Sequence, residues 1–132
     1  MSELFKEVFQ IFTEEQILSL RRGGRILHNC LAEVAAMVRP GVATGDLDRR
    51  AESFLFDHGA IPVFKGYRGY PATLCTSVND ICVHGIPGLL PLREGDIVAL
   101  DCGVLFEGLY TDACVTVPVG RVSREAARLI AV

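Results

Sequence analysis

Two aspartates interrupt apolar stretches of this sequence, and their spacing is the first sign of chemistry. Asp101 lies within the apolar run of residues 97–105, and Asp112 lies within the run of residues 109–117. If the two runs form an antiparallel hairpin that turns at residues 106–107, the aspartates face each other. Opposed Cβ atoms lie about 4.5–5.5 Å apart, and carboxylates that close repel each other unless a proton or a cation intervenes. Because divalent cations favour carboxylate oxygens, the pair predicts a metal site.

The register of this hairpin is left open by the sequence. A turn one residue later, at Glu107 and Gly108, opposes Asp101 to Cys114 instead of to Asp112. Only the first register therefore places the two carboxylates directly opposite each other.

A histidine close to these runs is a second candidate for chemistry. His84 precedes the turn-forming residues 85–88 and would end a strand. Imidazole is the side chain best suited to proton transfer or oxyanion contact near neutral pH, although a structural role is the simpler interpretation of this residue taken alone. Cys75, Cys82 and His84 also offer soft zinc ligands, but their spacing matches neither zinc ribbons nor zinc fingers.

The chain before these residues has the pattern of two helices. Residues 13–16, Thr-Glu-Glu-Gln, form a capping box, and apolar residues then recur at helical spacing until the Pro-Gly pair at 40–41. Thr44 or Asp46 would cap a second helix, with Gly59 just beyond its end.

Two hairpins and a further helix follow. Residues 73–85 form two apolar runs around a polar turn at 79–80, which predicts a hairpin that opposes Cys75 to His84. The aspartate hairpin comes next, and Ser123 would begin a third helix. The pattern predicts an α+β fold of two helices, antiparallel β-hairpins and the start of a third helix.

The composition excludes several classes of protein. The 132 residues match the length of one domain, and 13 Lys and Arg against 16 Asp and Glu give a net charge of −3 without an extended basic patch. Nucleic acid is therefore not expected as a partner. The first residues lack the features of a signal peptide, and no apolar run is long enough to span a membrane. Five cysteines without a C-x-x-C pair favour reduced thiols, so we expect a cytoplasmic protein.

The apolar content is high for a domain of this size. Half of the residues, 50%, are hydrophobic and only 22% are charged. Such a domain would expose more apolar surface than a small core conceals. A partner that covers this surface would explain the composition.

Four motifs in order carry a resemblance to a known family. CTSVNDICVHGIP at 75–87, GDIVALD at 95–101 and YTD at 110–112 closely resemble type I methionine aminopeptidases, and GYRGYP at 66–71 resembles the substrate-pocket segment of that family. The resemblance runs from about residue 17 to residue 132. It implies a pita-bread metallopeptidase that removes the initiator methionine from nascent polypeptide N-termini, near the ribosome.

The resemblance also implies roles for the candidate residues. Asp101 and Asp112 would bind two divalent metal ions (Co, Mn, Fe or Zn), which activate a bridging hydroxide for attack on the scissile carbonyl. His84 would not be a metal ligand; it would hydrogen-bond to the substrate and stabilise the tetrahedral intermediate.

Further positions correspond to binding residues of the same family. Tyr67, Tyr70 and Cys75 would line the pocket for the methionine side chain, an apolar site that tolerates sulfur. The backbone carbonyls of Asn79 and Ile81 would bind a monovalent cation, Na⁺ or K⁺.

The sequence departs from the family in what it lacks. Family members are longer, and their second half supplies a His in a Gly-His-Gly-Ile-Gly-like motif and two Glu ligands, none of which occurs here. Residues 1–132 would therefore be the N-terminal part of one catalytic domain, truncated before these ligands. We expect this chain to be inactive by itself, because two carboxylates alone coordinate metal weakly.

Two other functions and one assembly remain open. Xaa-Pro aminopeptidases share the fold and the metal pair, but usually carry a large N-terminal domain. A non-catalytic pita-bread binding module would be expected to lose Asp101 or Asp112, and both are present. Because the halves of the family fold are related by a pseudo-twofold axis, two copies of this chain could also self-associate through their exposed sheets.

Overall fold

A computed structural model describes residues 11–132 as an α+β fold, as the sequence predicts. Its elements in chain order are helix α1 (Glu14–Met37), helix α2 (Thr44–Asp57), strand β1 (Ile61–Pro62), a 3₁₀ turn (Tyr67–Gly69), strand β2 (Leu74–Val78), strand β3 (Ile97–Phe106), strand β4 (Leu109–Pro118) and helix α3 (Arg124–Ala131). The first residues, which we interpreted as lacking a signal peptide, lie outside the described part of the chain. None of the helices described in residues 11–132 has the length and apolar character needed to cross a membrane.

Helix α1 begins at the predicted capping box. The Thr13 hydroxyl accepts a hydrogen bond from the Gln16 backbone N–H, and the Gln16 side chain accepts one from the Thr13 N–H. These bonds satisfy backbone donors that a helix start otherwise leaves unpaired. The helix ends at Met37, before the predicted breaker Pro40.

Helix α2 begins differently from the prediction. Its N-cap is Ala43, which makes no side-chain cap, and Thr44 is already helical. The predicted cap at Thr44 or Asp46 is therefore wrong. The Thr44 hydroxyl instead accepts a hydrogen bond from the Gly88 N–H at 2.9 Å, which fastens the distant 86–90 loop to the helix start.

The β3–β4 hairpin takes the second of the two registers. Phe106 pairs with Leu109, so the turn is Glu107-Gly108, and Asp101 pairs with Cys114. Glu107 and Gly108 have φ values of 49° and 79°, the left-handed pair that a two-residue type I′ turn requires. The prediction that Asp101 and Asp112 face each other directly is therefore wrong. Glycine at the second turn position favours this register, since it has no Cβ to strain at positive φ.

The predicted hairpin of residues 73–85 does not form. Strand β2 pairs with β3, so that Cys75 lies opposite Asp101 rather than opposite His84. The turn at Asn79 is present, and this residue has a φ of 54°. The Asn79 side-chain oxygen, however, accepts a hydrogen bond from the Ile97 N–H at 3.1 Å, which ties the turn to the start of β3. The long apolar strand β3 offers β2 a buried partner, whereas residues 81–84 are exposed.

The core lies on one face of a four-stranded antiparallel sheet. Strand β3 is central: it pairs with β4 along one edge and with β2 and β1 along the other. Helices α1 and α2 cover one face, and the fully buried side chains include Leu27, Cys30, Val34, Leu47, Leu55, Leu74, Val98, Leu100, Cys102 and Val104. All five cysteines are free thiols.

Apolar exposure is concentrated outside this core. Large apolar side chains that remain exposed include Ile81, Val83, Ile86, Leu89, Leu90, Tyr110 and Leu129. The composition predicted such exposure.

Replacing a buried leucine tests the location of the core. Leu100→Ala should lower the free energy of unfolding by about 2–5 kcal/mol, because it removes a fully buried side chain and leaves a cavity. Leu90→Ala is the matched control, since Leu90 is 84% exposed and its loss should cost about 0.5 kcal/mol or less. Urea unfolding followed by circular dichroism measures both, and equal losses would contradict this assignment of the core.

Candidate functional site

The two aspartates lie on the face of the sheet that helices α1 and α2 leave open. Asp101, in β3, has Cys75 and Cys114 as its neighbours across the strands, and Asp112, in β4, lies opposite Gly103. Residues two apart in a strand share a face, so the aspartates are diagonal neighbours on one face. Diagonal side chains remain within reach of each other, and the two carboxylates are close enough that, besides burial, the charge of Asp112 raises the pKa of Asp101.

Gly103 makes room for this arrangement. A Cβ at this position would lie 2.7 Å from Val63 Cγ2, 2.8 Å from Phe64 Cε1 and 3.1 Å from Asp112 Oδ2. The first two distances are shorter than any ordinary contact. Only glycine therefore lets the Asp112 carboxylate and the segment of Phe64 approach β3 together.

The environment of Asp101 disfavours its negative charge. Burial raises the pKa of Asp101, the charge of Asp112 raises it further, and the nearby His84 opposes the shift. The Oδ1 atom of Asp101 is buried without a hydrogen-bond partner, and such an atom is costly unless something binds it.

A divalent cation fits this pair of carboxylates. Two oxygen-bearing groups converge, one of them has an unpartnered buried oxygen, and a cation would relieve their repulsion. Within residues 11–132, however, no three His, Cys, Asp or Glu side chains are grouped closely enough to hold a metal ion. Asp101 and Asp112 therefore offer part of a coordination shell.

His84 is presented by a loop that is pinned to β2. The Thr76 N–H donates to the Gly85 carbonyl at 2.7 Å, and the Gly85 N–H donates to Ser77 Oγ at 3.1 Å. A Cβ on Gly85 would overlap the Thr76 carbonyl oxygen. His84 itself has a left-handed backbone, with φ of 59°. The close contact of Gly85 with Thr76 therefore fixes the position of the loop that carries His84.

One pocket brings six of the predicted residues together. It has a volume of 660 Å³ and is lined by Phe64, Tyr67, Arg68, Gly69, Tyr70, Pro71, Cys75, His84, Ile86, Asp101 and Asp112. The carboxylate pair, the histidine and the apolar wall thus border one space, although they come from separate parts of the chain.

The two residues predicted to bind a monovalent cation lie elsewhere. Asn79 and Ile81 border neighbouring grooves, and the Asn79 side chain is bonded to Asp96 and Ile97. Nothing in their surroundings tests the binding of Na⁺ or K⁺, which stays a prediction.

Several lining residues were not singled out from the sequence. Arg68 and Pro71 belong to the segment of residues 66–71 that we associated with the pocket, and Phe64 lies just before it, so their position in the chain was a usable signal. Ile86 follows His84 closely. Gly103 was also missed, although a glycine within a long apolar strand often marks a close approach of another segment.

Comparisons with known proteins agree on the family. The family described as Metallopeptidase family M24 matches residues 19–132. Methionine aminopeptidase of Clostridium perfringens is 49% identical over 117 residues, which are 89% of this chain and 47% of that protein. The crystal structure of methionine aminopeptidase from Rickettsia prowazekii superposes with a TM-score of 0.90, at 36% identity, over 92% of this chain and 49% of that one.

The same fold occurs in enzymes named for another specificity. An Xaa-Pro dipeptidase from Bacillus anthracis has a TM-score of 0.78 at 22% identity, covering 97% of this chain and 35% of that one, and this likeness concerns the fold alone. The chain spans about half the length of the curated methionine aminopeptidase that it matches. With the family match covering most of its residues, the chain belongs to metallopeptidase family M24 and has the pita-bread fold.

Proposed function

We propose that this chain is the N-terminal part of a metal-dependent catalytic domain that removes the initiator methionine from nascent polypeptides. The observation that carries the proposal is the single pocket in which Asp101, Asp112 and His84 meet an apolar, tyrosine-rich wall. The name of the relatives, methionine aminopeptidase, supports the same substrate. Such an enzyme would work in the cytoplasm, near the ribosome.

Asp101 and Asp112 are the proposed metal ligands. Their carboxylates would hold divalent ions, two in the family that the sequence resembles, with Co, Mn, Fe or Zn as candidates. When bound, such ions supply Lewis acidity and lower the pKa of a metal-bound water molecule toward neutrality. The aspartates would keep the ions on the open side of the sheet, in the pocket that we propose for the peptide.

His84 is the proposed catalytic residue. Its imidazole borders the pocket beside Asp101, where a ring N–H can donate a hydrogen bond to the substrate. In the reaction, this donor would stabilise the negative charge that develops on the scissile carbonyl oxygen.

The pocket wall is suited to an apolar side chain. Burial raises the pKa of Tyr70 and that of Cys75, which keeps the hydroxyl and the thiol neutral at physiological pH. With Tyr67 and Phe64 they present neutral, aromatic and sulfur-containing surface, which favours the thioether of methionine. Asn79 and Ile81 are proposed to bind Na⁺ or K⁺ through their carbonyls, outside this pocket.

Metal binding tests the role of the aspartate pair. Millimolar Mn²⁺ should raise the thermal midpoint of the wild-type chain by about 2–5 °C, and Asp101→Asn or Asp112→Asn should abolish the rise. Because the pKa of Asp101 is raised, protons should compete with Mn²⁺ at a higher pH than at an ordinary aspartate. As the pH is lowered, the stabilisation by Mn²⁺ should therefore begin to decline at a higher pH than it would at a site made of ordinary aspartates.

Asp80→Asn is the matched control for this experiment, since Asp80 is exposed in the 79–80 turn and outside the pocket. It should keep the full response to Mn²⁺. An unchanged response in both Asp101→Asn and Asp112→Asn would contradict the proposed metal site.

Peptide binding and cleavage test the proposed substrate. With Mn²⁺ present, isothermal titration calorimetry should show tighter binding of Met-Ala-Ser than of Gly-Ala-Ser, which lacks the side chain that the pocket would hold. We expect no measurable release of methionine, because the described residues supply two carboxylates and no larger ligand group. Mass spectrometry of the peptide measures this.

The same titration separates the alternatives. Metal-dependent release of methionine would overturn the expected inactivity of the chain by itself. Preference for Gly-Pro-Ser over Met-Ala-Ser would favour an Xaa-Pro enzyme. Peptide binding that ignores Mn²⁺ would favour a non-catalytic binding module.

Self-association is proposed for the exposed part of the sheet. Among the described strands β4 pairs with β3 alone, and an unpaired strand edge can pair with another chain. Tyr110 and Leu129 are 68% and 70% exposed in this region. Sedimentation velocity should show dimers as the concentration rises, whereas a monomer at high concentration would contradict the proposal.

A further inference from the structure

The segment that carries the pocket tyrosines has little regular structure of its own. Between Phe64 and Pro71 it makes a single 3₁₀ turn, and Gly66, Arg68 and Gly69 have left-handed φ values of 88°, 47° and 82°. Residues 65–69 are exposed. A pocket wall of this kind needs contacts from elsewhere to keep its shape.

Two carboxylates of α2 hold both ends of this segment. Asp48 and Glu52 are one helical turn apart and so share a face. Glu52 accepts from the Lys65 ammonium at 2.6 Å and from the Thr73 hydroxyl at 2.8 Å. The Asp48 Oδ1 atom accepts from two consecutive backbone amides, those of Thr73 at 2.9 Å and Leu74 at 2.8 Å. The helix thus binds the chain just before and just after the tyrosines.

Tyr70 continues this network toward the loop that carries His84 and Gly85. Its hydroxyl lies 2.9 Å from the Leu74 carbonyl and 3.1 Å from the Gly85 carbonyl, so one proton is shared between two acceptors. Leu74 is the residue whose amide Asp48 binds, and Gly85 follows His84 directly. A continuous path of hydrogen bonds therefore runs from Asp48 to the histidine loop.

The position of Asp48 suggests that its oxygen matters more than its charge. The residue is half-buried, and burial raises its pKa although the two amides counteract the shift. None of the described ion pairs includes it. Burial of the Asp48 carboxylate costs free energy, and its hydrogen bonds to the Thr73 and Leu74 amides offset that cost. We therefore interpret these two bonds as the role of Asp48.

We propose that Asp48 is a positioning residue, which fixes the start of β2 so that Tyr70, Cys75 and the His84 loop keep their places around the Asp101–Asp112 pair. Glu52 supports the same segment from its other end. The significance of the pocket rests on the proposed function, but the positioning itself can be measured without catalysis.

Thiol alkylation of the 132-residue chain tests the proposal. Cys75 follows Leu74 and is 4% exposed, so Asp48→Ala, which removes both amide bonds, should raise its rate of reaction with iodoacetamide by about ten-fold or more. The exposed Cys114 provides the reference rate, and the fully buried Cys30 and Cys102 report global unfolding. Peptide mass spectrometry measures each thiol separately.

The conservative variant distinguishes positioning from charge. Asp48→Asn keeps an Oδ1 acceptor for both amides and should restore the slow rate at Cys75, together with the wild-type NMR signals of the His84 ring, which Asp48→Ala should shift. Asp46→Ala, an exposed position on the same helix, is the matched control and should leave both readouts unchanged.

Two outcomes would overturn the proposal. One is an unchanged Cys75 rate and His84 spectrum in Asp48→Ala. The other is decided by Asp48→Glu if Asp48→Ala also exposes Cys30 and Cys102, because the added methylene displaces the carboxylate from the Thr73 and Leu74 amides and keeps its charge. Selective reaction of Cys75 or a selective shift of His84 in Asp48→Glu supports positioning. Exposure of all three thiols together, or no change at all, overturns it. Failure of Met-Ala-Ser to bind the wild-type chain would count against the proposed function alone.

Discussion

The candidate site depends on the register of the β3–β4 hairpin. The two left-handed residues Glu107 and Gly108 set that register, and an ion pair between Arg22 of α1 and Glu107 ties the turn to the helix layer. With this register Asp112 lies opposite Gly103 and on the same face as Asp101. A slip of one residue would turn every side chain of β4 to the other face, and Asp112 would then point toward the helices.

The layers of the fold separate stability from chemistry. Helices α1 and α2 bury the apolar face of the sheet, where the fully buried leucines, valines and the thiols of Cys30 and Cys102 lie. The other face carries Asp101, Asp112 and the pocket. Two neighbouring carboxylates cost free energy in a metal-free protein, and the fold tolerates this because the hydrophobic core lies on the opposite side of β3. A bound cation would attract both carboxylates and so offset their mutual repulsion.

The start of α1 was predicted correctly from local sequence, whereas the cap of α2 and the choice of strand partners were not. The capping box at Thr13 and Gln16 formed as predicted, because its bonds lie within one helical turn. The hairpin of residues 73–85 failed, because β2 had a distant competitor in β3 that buries both strands. The two possible registers of the aspartate hairpin place the turn at residues 106–107 or at residues 107–108. The preference of glycine for positive φ at position 108 was the available signal for choosing between them.

The sequence by itself determined the family resemblance, the α+β class and six of the residues that meet in the pocket, because these depend on residue type, spacing and local propensity. Tertiary structure alone decided that Gly103 lets the segment of Phe64 approach β3 beside Asp112, and that Asp48 reaches the backbone of Thr73 and Leu74. These features join segments far apart in the chain. Their formation depends on which long-range contacts together bury the most apolar surface and satisfy the most polar groups, and no short stretch of sequence contains that comparison.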